Sequence, residues 1–512
     1  MTMLRRTLKI FCVSAVGLGT FASFRANEYD VSSTGIMRLY RASITIFDIG
    51  RYYKSHLYKN GLDPNSNEYF AKKSDAHAYG AKKLLELCCA NKGIYIKVGQ
   101  HIGALDYLLP KEYVHTMRIL HKSAPESSFS DVLAVLKEDL KKDPYDIFES
   151  IEKEPLGAAS LAQVHRAVLK GGQQVAVKVQ HRAVKTNSFV DIKTMAALVK
   201  ITSWIFPEFK FDWLVAETKK NLPKELDFIK EGENAEKVKK LFSQYTWLHI
   251  PEIFWNLSSS RVLTMEYIEG GQINDLEYYK DHNINPYEVA NKLGQLYSHM
   301  IFITGFVHSD PHPGNILIRK RKTKTELVLL DHGLYAELSD QFRWEYSNLW
   351  LSILNKDRVA MRNYCNNLGV GSMFELLVCM ISGRSWETIV GGVQKKMYTS
   401  SELDLFYKEM PNLIPKMIEV LQRVNSHMLL ILKTNDLIRS IEYTLKTHAR
   451  MSAFVQMSSC CVKSIYAEKK RHCSTKYSKL IMTMEEHWSL LKIFLYYTYL
   501  SIINFDFKSG LL

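Results

Sequence analysis

"FVHSDPHPGNILI", residues 306–318, holds two histidines, an aspartate and an asparagine in a short run that also contains two prolines. The alternation of His308, Asp310 and His312 is compatible with a metal site. Alternating side chains share one face only on an extended strand, however, and the two prolines disfavour a regular central strand. The same letters fit a loop that positions Asp310 beside a phosphate, and this alternative predicts partners elsewhere in the chain.

A phosphate site needs oxygen ligands for magnesium and a lysine for the phosphates. Asn315 follows Asp310 closely, and Asp331 ends the strand-like segment "ELVLLDHG" (326–333). Mg²⁺ prefers a few such oxygen ligands, completed by phosphate oxygens. Lys178, in "VAVK", is the candidate lysine. Because phosphoryl transfer depends mainly on positioning and on neutralising charge, these residue types suit a nucleotide site.

The preceding sequence predicts the elements that carry Lys178. Apolar spacing predicts helices over residues 36–60 and 68–122, and Ser130 is a candidate cap for the next helix. From about residue 155 the segments become β-branched, and "SLAQVHRAVL" and "QQVAVKVQ" flank "KGG", which predicts a hairpin. In its second strand three valines alternate with Lys178, which therefore lies on the exposed or cleft-facing side.

Helical and strand-like segments follow towards the carboxyl end. Residues 212–242 are helical with a break at Pro223, and 261–268 are strand-like. Pro286 suits the first position of a helix that runs to about Thr304, and the last third of the chain is almost entirely helical. Helices, a small sheet with one long helix, and a helical region predict a two-lobed α+β protein with a ligand site between its lobes.

The composition indicates a folded chain whose charge suits anionic partners, with a basic organellar protein as the alternative. Of 512 residues 46% are apolar, and the net charge is +14. The basic residues are spread along the chain and no nucleic-acid-binding motif is present, so nucleic acid is not expected as a partner. The eight cysteines form no C-x-x-C pair, which disfavours zinc or disulfide scaffolds and favours a reducing compartment.

Both ends of the chain carry apolar segments. Arg5, Arg6 and Lys9 precede a weakly apolar run over 10–24, shorter than the about 20 residues of a membrane span. A secretory signal fits this pattern, but the cysteines disfavour export, and a mitochondrial targeting segment, retained as a membrane anchor, is favoured. "IFLYYTYLSIINF" (493–505) is typical of a core helix, with contact at a membrane interface as the alternative.

Three short motifs together resemble the protein-kinase set. "VAVK", "HSDPHPGN" and "LDHG" stand in the order of V-A-I-K, H-R-D-x-x-x-x-N and D-F-G. Four segments are similar to signatures of the UbiB family of atypical kinases, also called aarF-domain-containing kinases: "KVGQ" (97–100), "LGAASLAQVH" (156–165), "KELDFIKEGENA" (224–235) and "VHSDPHPGN" (307–315). The resemblance covers roughly residues 30–470 and extends to a mitochondrial group of that family.

The resemblance implies an α+β, atypical protein-kinase-like fold with two lobes. It comprises a small antiparallel sheet with a helix αC, a helical C-lobe, and a helical N-terminal extension that carries K-x-G-Q and folds across the active-site cleft. The expected domains are a targeting or membrane-anchor segment (1–30), the extension (31–150), the N-lobe (151–275), the C-lobe (276–470) and a C-terminal helical tail (471–512).

The resemblance also implies a site for ATP or ADP with Mg²⁺. Asp310 matches the catalytic aspartate, and Asn315 and Asp331 match the metal ligands. Lys178 matches the nucleotide-binding lysine and Glu231 its αC partner. The remaining cofactor-binding positions are matched by Ala158, Ala159 and Ser160 in the loop over the phosphates, and by Met265, Glu266 and Ile268 beside the adenine. The family's own K-x-G-Q and E-x-D motifs are matched by Lys97 and Gln100, and by Glu225 and Asp227.

One acidic pair of this set needs a counter-charge. Asp227 and Glu231 are four residues apart and are expected on one helix face, where like charges repel unless a cation lies between them. Lys178, Lys97 and magnesium are the three alternatives for that cation.

The departures from ordinary kinases carry their own expectations. Ala158 and Ala159 replace loop glycines, and because alanine adopts positive φ at a cost, the loop should be stiffer and hold phosphate differently. Ser309 replaces the arginine of H-R-D. His312 and His332 stand where kinases often carry lysine and phenylalanine, and both are expected to support loops by hydrogen bonds rather than to catalyse.

Two functions fit this set of residues. The first is a mitochondrial kinase-like protein that binds Mg-ATP, acts as an ATPase or phosphotransferase on a non-peptide substrate, and supports membrane or lipid homeostasis. The second is a pseudokinase scaffold in mitochondrial organisation that works without phosphoryl transfer. The intact set of Lys178, Asp310, Asn315 and Asp331 favours the first. The implied partners are a nucleotide and a mitochondrial membrane lipid or membrane protein.

Overall fold

The computed structural model describes residues 34–58, 63, 66–103, 109–122, 126–205, 212–384, 386–391, 416–417, 419–421, 423–447 and 452–503. The segment assigned to targeting, residues 1–30, lies outside these ranges. No helix within them is long and apolar enough to cross a membrane.

Helices make up most of the described chain. In the first half they are α1 (Gly35–Tyr53), α2 (Asn67–Asn91), α3 (Ile94–Gly103), α4 (Lys111–Met117), α5 (Ile119–Lys122), α6 (Phe129–Leu140), α7 (Pro144–Ile147), α8 (Val184–Ile205), α9 (Asp212–Glu225) and α10 (Phe228–Leu241). In the second half they are α11 (Leu276–Asp281), α12 (Pro286–Ser298), α13 (Asp340–Asn355), α14 (Arg358–Asn367), α15 (Phe374–Ser382), α16 (Trp386–Gly391), α17 (Ser426–Thr444), α18 (Ser452–Arg471) and α19 (Lys476–Ile503).

The strands are short and belong to three sheets. They are β1 (Phe148–Ile151), β2 (Gly157–Ala158), β3 (Ala162–Leu169), β4 (Gln174–Gln180), β5 (Leu248–His249), β6 (Val262–Glu266), β7 (Gly271–Gln272), β8 (Phe306–His308), β9 (Ile316–Arg321), β10 (Lys324–Leu329) and β11 (Tyr335–Glu337). The chain forms two compact units, residues 1–232 with 252–268, and residues 233–251 with 269–512.

The first unit contains an antiparallel sheet with strand order β1-β3-β4-β6, and β2 pairs with β3. The predicted hairpin is confirmed as β3–β4, and its turn contains Gly172 at φ +80°. Three valines of β4 pack against apolar residues of α6. On the opposite face Phe228 of α10 packs with Leu263 and Ala162. Both faces are therefore covered, and the exposed-face alternative for Lys178 is wrong.

Several predicted helices of this unit have other boundaries. The single helix expected over 68–122 is divided into α2 to α5, and its first break lies at Lys92 and Gly93, which have φ of 54° and 56°. Ser128, not Ser130, caps α6, because the Ser128 hydroxyl accepts the N–H of Asp131 at 3.2 Å. Pro223 lies inside α9 rather than breaking it, and α8 was not predicted.

The second unit contains a four-stranded sheet of order β5-β10-β9-β7 and the two-stranded sheet β11-β8. Pro286 is the first residue of α12, as predicted, and Asn285 caps that helix by accepting the N–H of Tyr287 at 3.0 Å. The core-helix interpretation of the C-terminal apolar segment is wrong for two of its residues. Phe494 and Leu495 of α19 are 62% and 58% exposed.

Candidate active site

Lys178 and Glu231 form an ion pair in the first unit. Lys178 Nζ lies 2.6 Å from Glu231 Oε1, and the two side chains are 15% and 3% exposed. The ammonium also lies 5.2 Å from the ring centre of Phe228. Glu231 is in the first turn of α10, where the helix dipole favours a negative charge. The structure thus joins the lysine of the hairpin to the glutamate of the helix that the sequence assigned to it.

The E-x-D residues lie on either side of a helix junction. Glu225 is the last residue of α9, and Asp227 precedes α10. Asp227 Oδ1 accepts the backbone N–H two residues further on, at 3.2 Å, as a helix cap does. Asp227 is therefore the N-cap of α10 rather than a residue within it, and its carbonyl oxygen accepts the N–H of Glu231, one turn further on, at 3.3 Å.

The K-x-G-Q motif lies on α3 and ties this helix to two others. Lys97 Nζ lies 2.8 Å from Glu225 Oε2, with both side chains close to fully buried. Gln100 Nε2 donates to the carbonyl oxygen of Leu120 at 2.9 Å. A Cβ at Gly99 would lie 2.4 Å from Leu120 Cδ1, so a larger residue there would displace the buried side chain of Leu120. Each letter of the motif thus has a packing or pairing role within the first unit.

The loop at Ala158, Ala159 and Ser160, which replaces the glycine-rich loop of kinases, contains a hydrogen bond between its own backbone groups. Ala158 belongs to β2, which pairs with β3, and the N–H of Ala159 donates to the carbonyl oxygen of Ala162 at 2.8 Å. Neither Ala158 nor Ala159 has a positive φ. Ser160 is buried. The Ala159 amide is therefore used inside the loop, which accords with the expectation that this loop holds phosphate differently from a glycine-rich one.

The residues expected beside the adenine lie at the end of the first unit. Met265 is buried on β6 and pairs with Ala176 of β4. The N–H of Glu266 donates to the carbonyl oxygen of Glu252 at 2.8 Å, so this amide is already engaged. The chain passes from the first unit to the second immediately after the buried Ile268.

In the second unit His308 connects the loop of Asp310 to the loop of Asp331. His308 is fully buried; its Nδ1 accepts the N–H of Asp310 at 3.2 Å, and its Nε2 donates to the carbonyl oxygen of Asp331 at 2.9 Å. Because Nδ1 accepts and Nε2 donates, the ring is the neutral Nε2–H tautomer. Both nitrogens are used, so His308 does not serve as a metal ligand.

Asn315 and Asp331 lie at the same open end of the β9–β10 hairpin. The carbonyl oxygen of Asn315 accepts the N–H of Leu330 at 2.9 Å, which extends the ladder to the residue before Asp331. Asn315 Nδ2 donates to the carbonyl oxygen of Asp310 at 3.2 Å, and Asp331 Oδ1 accepts the N–H of Gly333 at 2.9 Å. The amide and carboxylate oxygens at this end are ligand atoms of the kind that Mg²⁺ prefers.

These residues need a further ligand to hold a metal. Across the described ranges there is no group of three or more His, Cys, Asp and Glu side chains that could hold a metal ion. Asn315 and Asp331 would hold magnesium together with the phosphates of a nucleotide, which would complete its oxygen ligands.

Comparison with known proteins decides the family. Residues 119–365 match the ABC1 atypical kinase-like domain. AarF domain-containing kinase 1 of Drosophila melanogaster is 53% identical over 99% of each chain, and AarF domain-containing protein kinase 1 of Mus musculus is 44% identical over 96% of this chain and 94% of its own. This chain belongs to the ABC1/AarF family of atypical kinases. The predicted family and the predicted α+β kinase-like fold are confirmed.

A solved structure is also similar to this ABC1/AarF chain. It is the complex of Rv3197 from Mycobacterium tuberculosis with erythromycin, which is 21% identical, with a TM-score of 0.49 over 73% of this chain and 94% of that one.

Two histidines distinguish this ABC1/AarF site from ordinary kinases, and both support loops as predicted. His312 Nδ1 accepts the N–H of Gly314 at 3.0 Å. The buried His332 donates from Nε2 to the carbonyl oxygen of Leu329 at 3.0 Å, and its Nδ1 accepts the hydroxyl of Tyr335 at 2.9 Å. The ring of His332 thereby ties the residue after Asp331 to the end of β10 and the start of β11.

Two further residues of the site were missed by sequence analysis. His181 donates from Nε2 to the carbonyl oxygen of Ala159 at 3.0 Å, while its Nδ1 accepts the hydroxyl of Ser127 at 2.8 Å. Burial lowers the pKa of His181, which favours this neutral form. In the second unit, Asn234 of α10 donates to the carbonyl oxygen of His332 at 2.9 Å. No motif marks His181. Asn234 lies within the segment 224–235, but its contact with His332 is 98 residues away in sequence and gave it no assigned role.

Proposed function

We propose that this ABC1/AarF chain binds ATP or ADP with Mg²⁺ and transfers the terminal phosphoryl group of ATP to a substrate or to water. The Lys178–Glu231 pair carries the proposal. A strand lysine held at 2.6 Å by a carboxylate of a neighbouring helix is the arrangement with which kinases bind phosphates. Bound Mg-ATP supplies the phosphoryl group and a metal charge that stabilises the transferring oxygens.

In this proposal each of four residues has a defined task. Lys178 places its ammonium beside the phosphates and neutralises some of their charge. Asn315 and Asp331 offer the oxygens that hold magnesium. The carboxylate of Asp310 orients the attacking hydroxyl or water and accepts its proton. His308 acts through the others, because it hydrogen-bonds the backbone of both Asp310 and Asp331.

The proposal extends to substrate and location. The N-terminal extension implied by the family covers the cleft in which protein kinases hold peptides, which supports a non-peptide substrate. No acidic residue precedes Glu28, while Arg5, Arg6 and Lys9 lead the apolar run, which supports mitochondrial import. A role in membrane or lipid homeostasis is proposed by analogy with the family. Cell fractionation tests the location, and recovery of the full chain in the cytosol would contradict it.

Thermal unfolding with and without nucleotide tests the proposed function. Mg-ATP should raise the unfolding temperature of the wild type, since a ligand at 100 times its Kd adds about 2.7 kcal/mol to stability. The shift should require magnesium and be lost in Lys178→Ala and Asp331→Asn, because each removes a charge that contacts the Mg-nucleotide. Lys170→Ala, which changes an exposed lysine, is the matched control and should keep the full shift.

Measurement of ATP turnover distinguishes the two candidate functions, an ATPase or phosphotransferase and a pseudokinase scaffold. Asp310→Asn should retain the nucleotide-dependent shift and lose ATP turnover, because the carboxylate acts on the attacking group rather than on nucleotide binding. Full shifts in both Lys178→Ala and Asp331→Asn would overturn nucleotide binding at this site. Absence of ATP turnover by the wild type would assign the chain to the scaffold class, and equal turnover by the wild type and Asp310→Asn would overturn the catalytic role of Asp310.

A further inference from the structure

Helices α1 and α8 of the first unit together expose nine large apolar side chains among their described residues. Two of the most exposed are Phe47, at 74%, and Trp204, at 83%. The whole set, which we call the apolar face, comprises Ile36, Leu39, Tyr40, Ile44 and Phe47 on α1 and Phe189, Val190, Ile201 and Trp204 on α8. Spacings of three and four residues place the α1 members along one side of that helix. An exposed set of this size indicates a contact surface.

A buried ion pair fixes the two helices against each other. Arg38 of α1 donates from Nε to Asp191 Oδ1 of α8 at 2.8 Å, and these side chains are only 7% and 2% exposed. A side chain at Gly35 would lie 3.0 Å from Val190 Cγ1, so α1 approaches α8 at a member of the apolar face. The exposed side chains of the two helices therefore belong to one continuous surface.

The charges on these helices are mainly positive. Exposed cations accompany the apolar face at Lys185, Lys193 and Lys200 on α8, and the exposed Arg51 of α1 is paired with Asp48 at 3.2 Å. Lys193 Nζ lies 4.1 Å from the ring centre of Phe189. The acids of these helices are engaged: Asp191 pairs with Arg38, and Asp48 accepts the hydroxyl of Tyr79 at 2.5 Å. The surface therefore combines aromatic and aliphatic side chains with an excess of positive charge.

We propose that the apolar face of α1 and α8 docks on a lipid bilayer that contains anionic headgroups. Helices that lie at a membrane surface combine aromatic and aliphatic residues with lysine and arginine in this way, and tryptophan favours the interface. A second copy of the chain is a poorer occupant, because it would bring Lys193 and Lys200 against like charges. The sequence before α1 agrees, since three basic residues and the apolar run of 10–24 precede it.

Quenching of tryptophan fluorescence by lipid-borne bromine locates the contact in the full-length protein. The vesicles contain phosphatidylcholine brominated in its acyl chains, with or without an anionic phospholipid. We expect quenching that depends on the anionic lipid and is largely lost in Trp204→Phe, which keeps an apolar side chain. Trp488→Phe is the matched control, because Trp488 on α19 is also exposed, and it should retain the quenching.

The other quenching results overturn the proposal. Absence of binding to anionic vesicles excludes the bilayer as occupant. Loss of quenching in Trp488→Phe alone assigns the contact to α19. Equal quenching in the wild type and both variants assigns it to another region of the chain.

Vesicle partitioning gives a second, independent test. The double variant Ile44→Ser, Phe47→Ser should weaken partitioning by on the order of tenfold or more, because it removes two large apolar side chains from the interface. The matched double variant Leu480→Ser, Phe494→Ser changes exposed residues of α19 and should partition like the wild type. Equal weakening in both variants would overturn the assignment. The nucleotide-dependent shift should persist in both, so failure of this proposal is distinguishable from failure of the proposed function.

Discussion

The imidazole of His308 holds two chain segments in place at once. It accepts the N–H of Asp310 and donates to the carbonyl oxygen of Asp331, so a single neutral ring fixes the backbone on which the proposed catalytic carboxylate and a proposed magnesium ligand stand. His332, the residue after Asp331, has a similar role through its bonds to Leu329 and Tyr335. At the residue scale, these two histidines position backbone segments. A neutral imidazole can do this because its rigid ring carries one donor and one acceptor.

Replacement of His308 by phenylalanine tests whether the loops of Asp310 and Asp331 depend on its hydrogen bonds. The Asp310 N–H and the Asp331 carbonyl would lose their imidazole partner in a buried place, at a cost of about 1–3 kcal/mol for each such group. We expect urea unfolding to report a loss of about 2–6 kcal/mol, together with a weakened nucleotide-dependent thermal shift. His282→Phe, at an exposed position, is the control. A His308→Phe protein with wild-type stability would refute the positioning role.

A second residue-scale prediction concerns a buried carboxyl far from the site in sequence. Glu442 of α17 accepts the N–H of Ala453 at the start of α18 at 3.0 Å, and burial raises its pKa from 4.5 to about 7. A raised pKa means that the folded state binds the proton more tightly than the unfolded state. The contribution to stability is therefore complete below about pH 4.5 and is lost as the pH rises through about 7.

Urea unfolding near pH 5 and near pH 8 checks this sign. Through Glu442 the wild type should lose about 2–3 kcal/mol between these conditions, whereas Glu442→Gln should lack that component of the pH dependence and still accept the Ala453 N–H. Glu154→Gln, at an exposed position, should follow the wild type. If Glu442→Gln and the wild type show the same slope of stability against pH, Glu442 does not titrate in this range.

At the scale of elements, local patterns were predicted well and distant contacts were not. The β3–β4 hairpin was predicted because a glycine turn and alternating valines act within twenty residues of each other, and the Lys178–Glu231 partnership was predicted because motif order identifies both. Helix α8 was missed. Its buried Asp191 pairs with Arg38 of α1, and this contact spans 153 residues, so no local pattern indicates it. The cap position of Asp227 was missed because no proline or glycine marks the junction between α9 and α10.

The ion pair between α3 and α9 provides an element-scale prediction. Lys97 and Glu225 are 12% and 11% exposed, and removal of one member of such a pair costs about 3–5 kcal/mol, because a charge is left in a poorly solvated place. We expect Lys97→Met and Glu225→Leu each to lower the free energy of unfolding by about that amount, and the double variant to recover much of the loss.

The double-mutant cycle is measured by urea unfolding and is compared with the same cycle at a solvent-exposed ion pair. The pair Lys72–Glu68 on α2 supplies one, because its side chains are 32% and 64% exposed and exposed pairs are worth about 0.2–1 kcal/mol. The same substitutions there should give nearly additive, small effects. Additive losses at Lys97 and Glu225 would show that the K-x-G-Q helix does not depend on this pair.

At the scale of the whole molecule, the cysteines differ in how far they are buried. The seven cysteines of the described chain are unpaired, and two neighbours differ sharply. Cys88 is buried and burial raises its pKa to about 12, whereas Cys89 is exposed on the other side of α2. In the second unit, burial raises the pKa of Cys365 to about 12 and that of Cys460 to about 11.

Thiol labelling of the native full-length chain should therefore be strongly selective. The thiolate is the reactive form, and a buried thiol with a raised pKa forms it only after local or global unfolding. We expect Cys89 to be labelled rapidly near neutral pH, and Cys88, Cys365 and Cys460 only after denaturant is added, with mass spectrometry of peptides identifying each site. Rapid native labelling of Cys88 would contradict the packing of α2, and rapid labelling of Cys365 would contradict that of α14. Because these cysteines lie in different units, the denaturant dependence of their labelling also measures the stability of each unit separately.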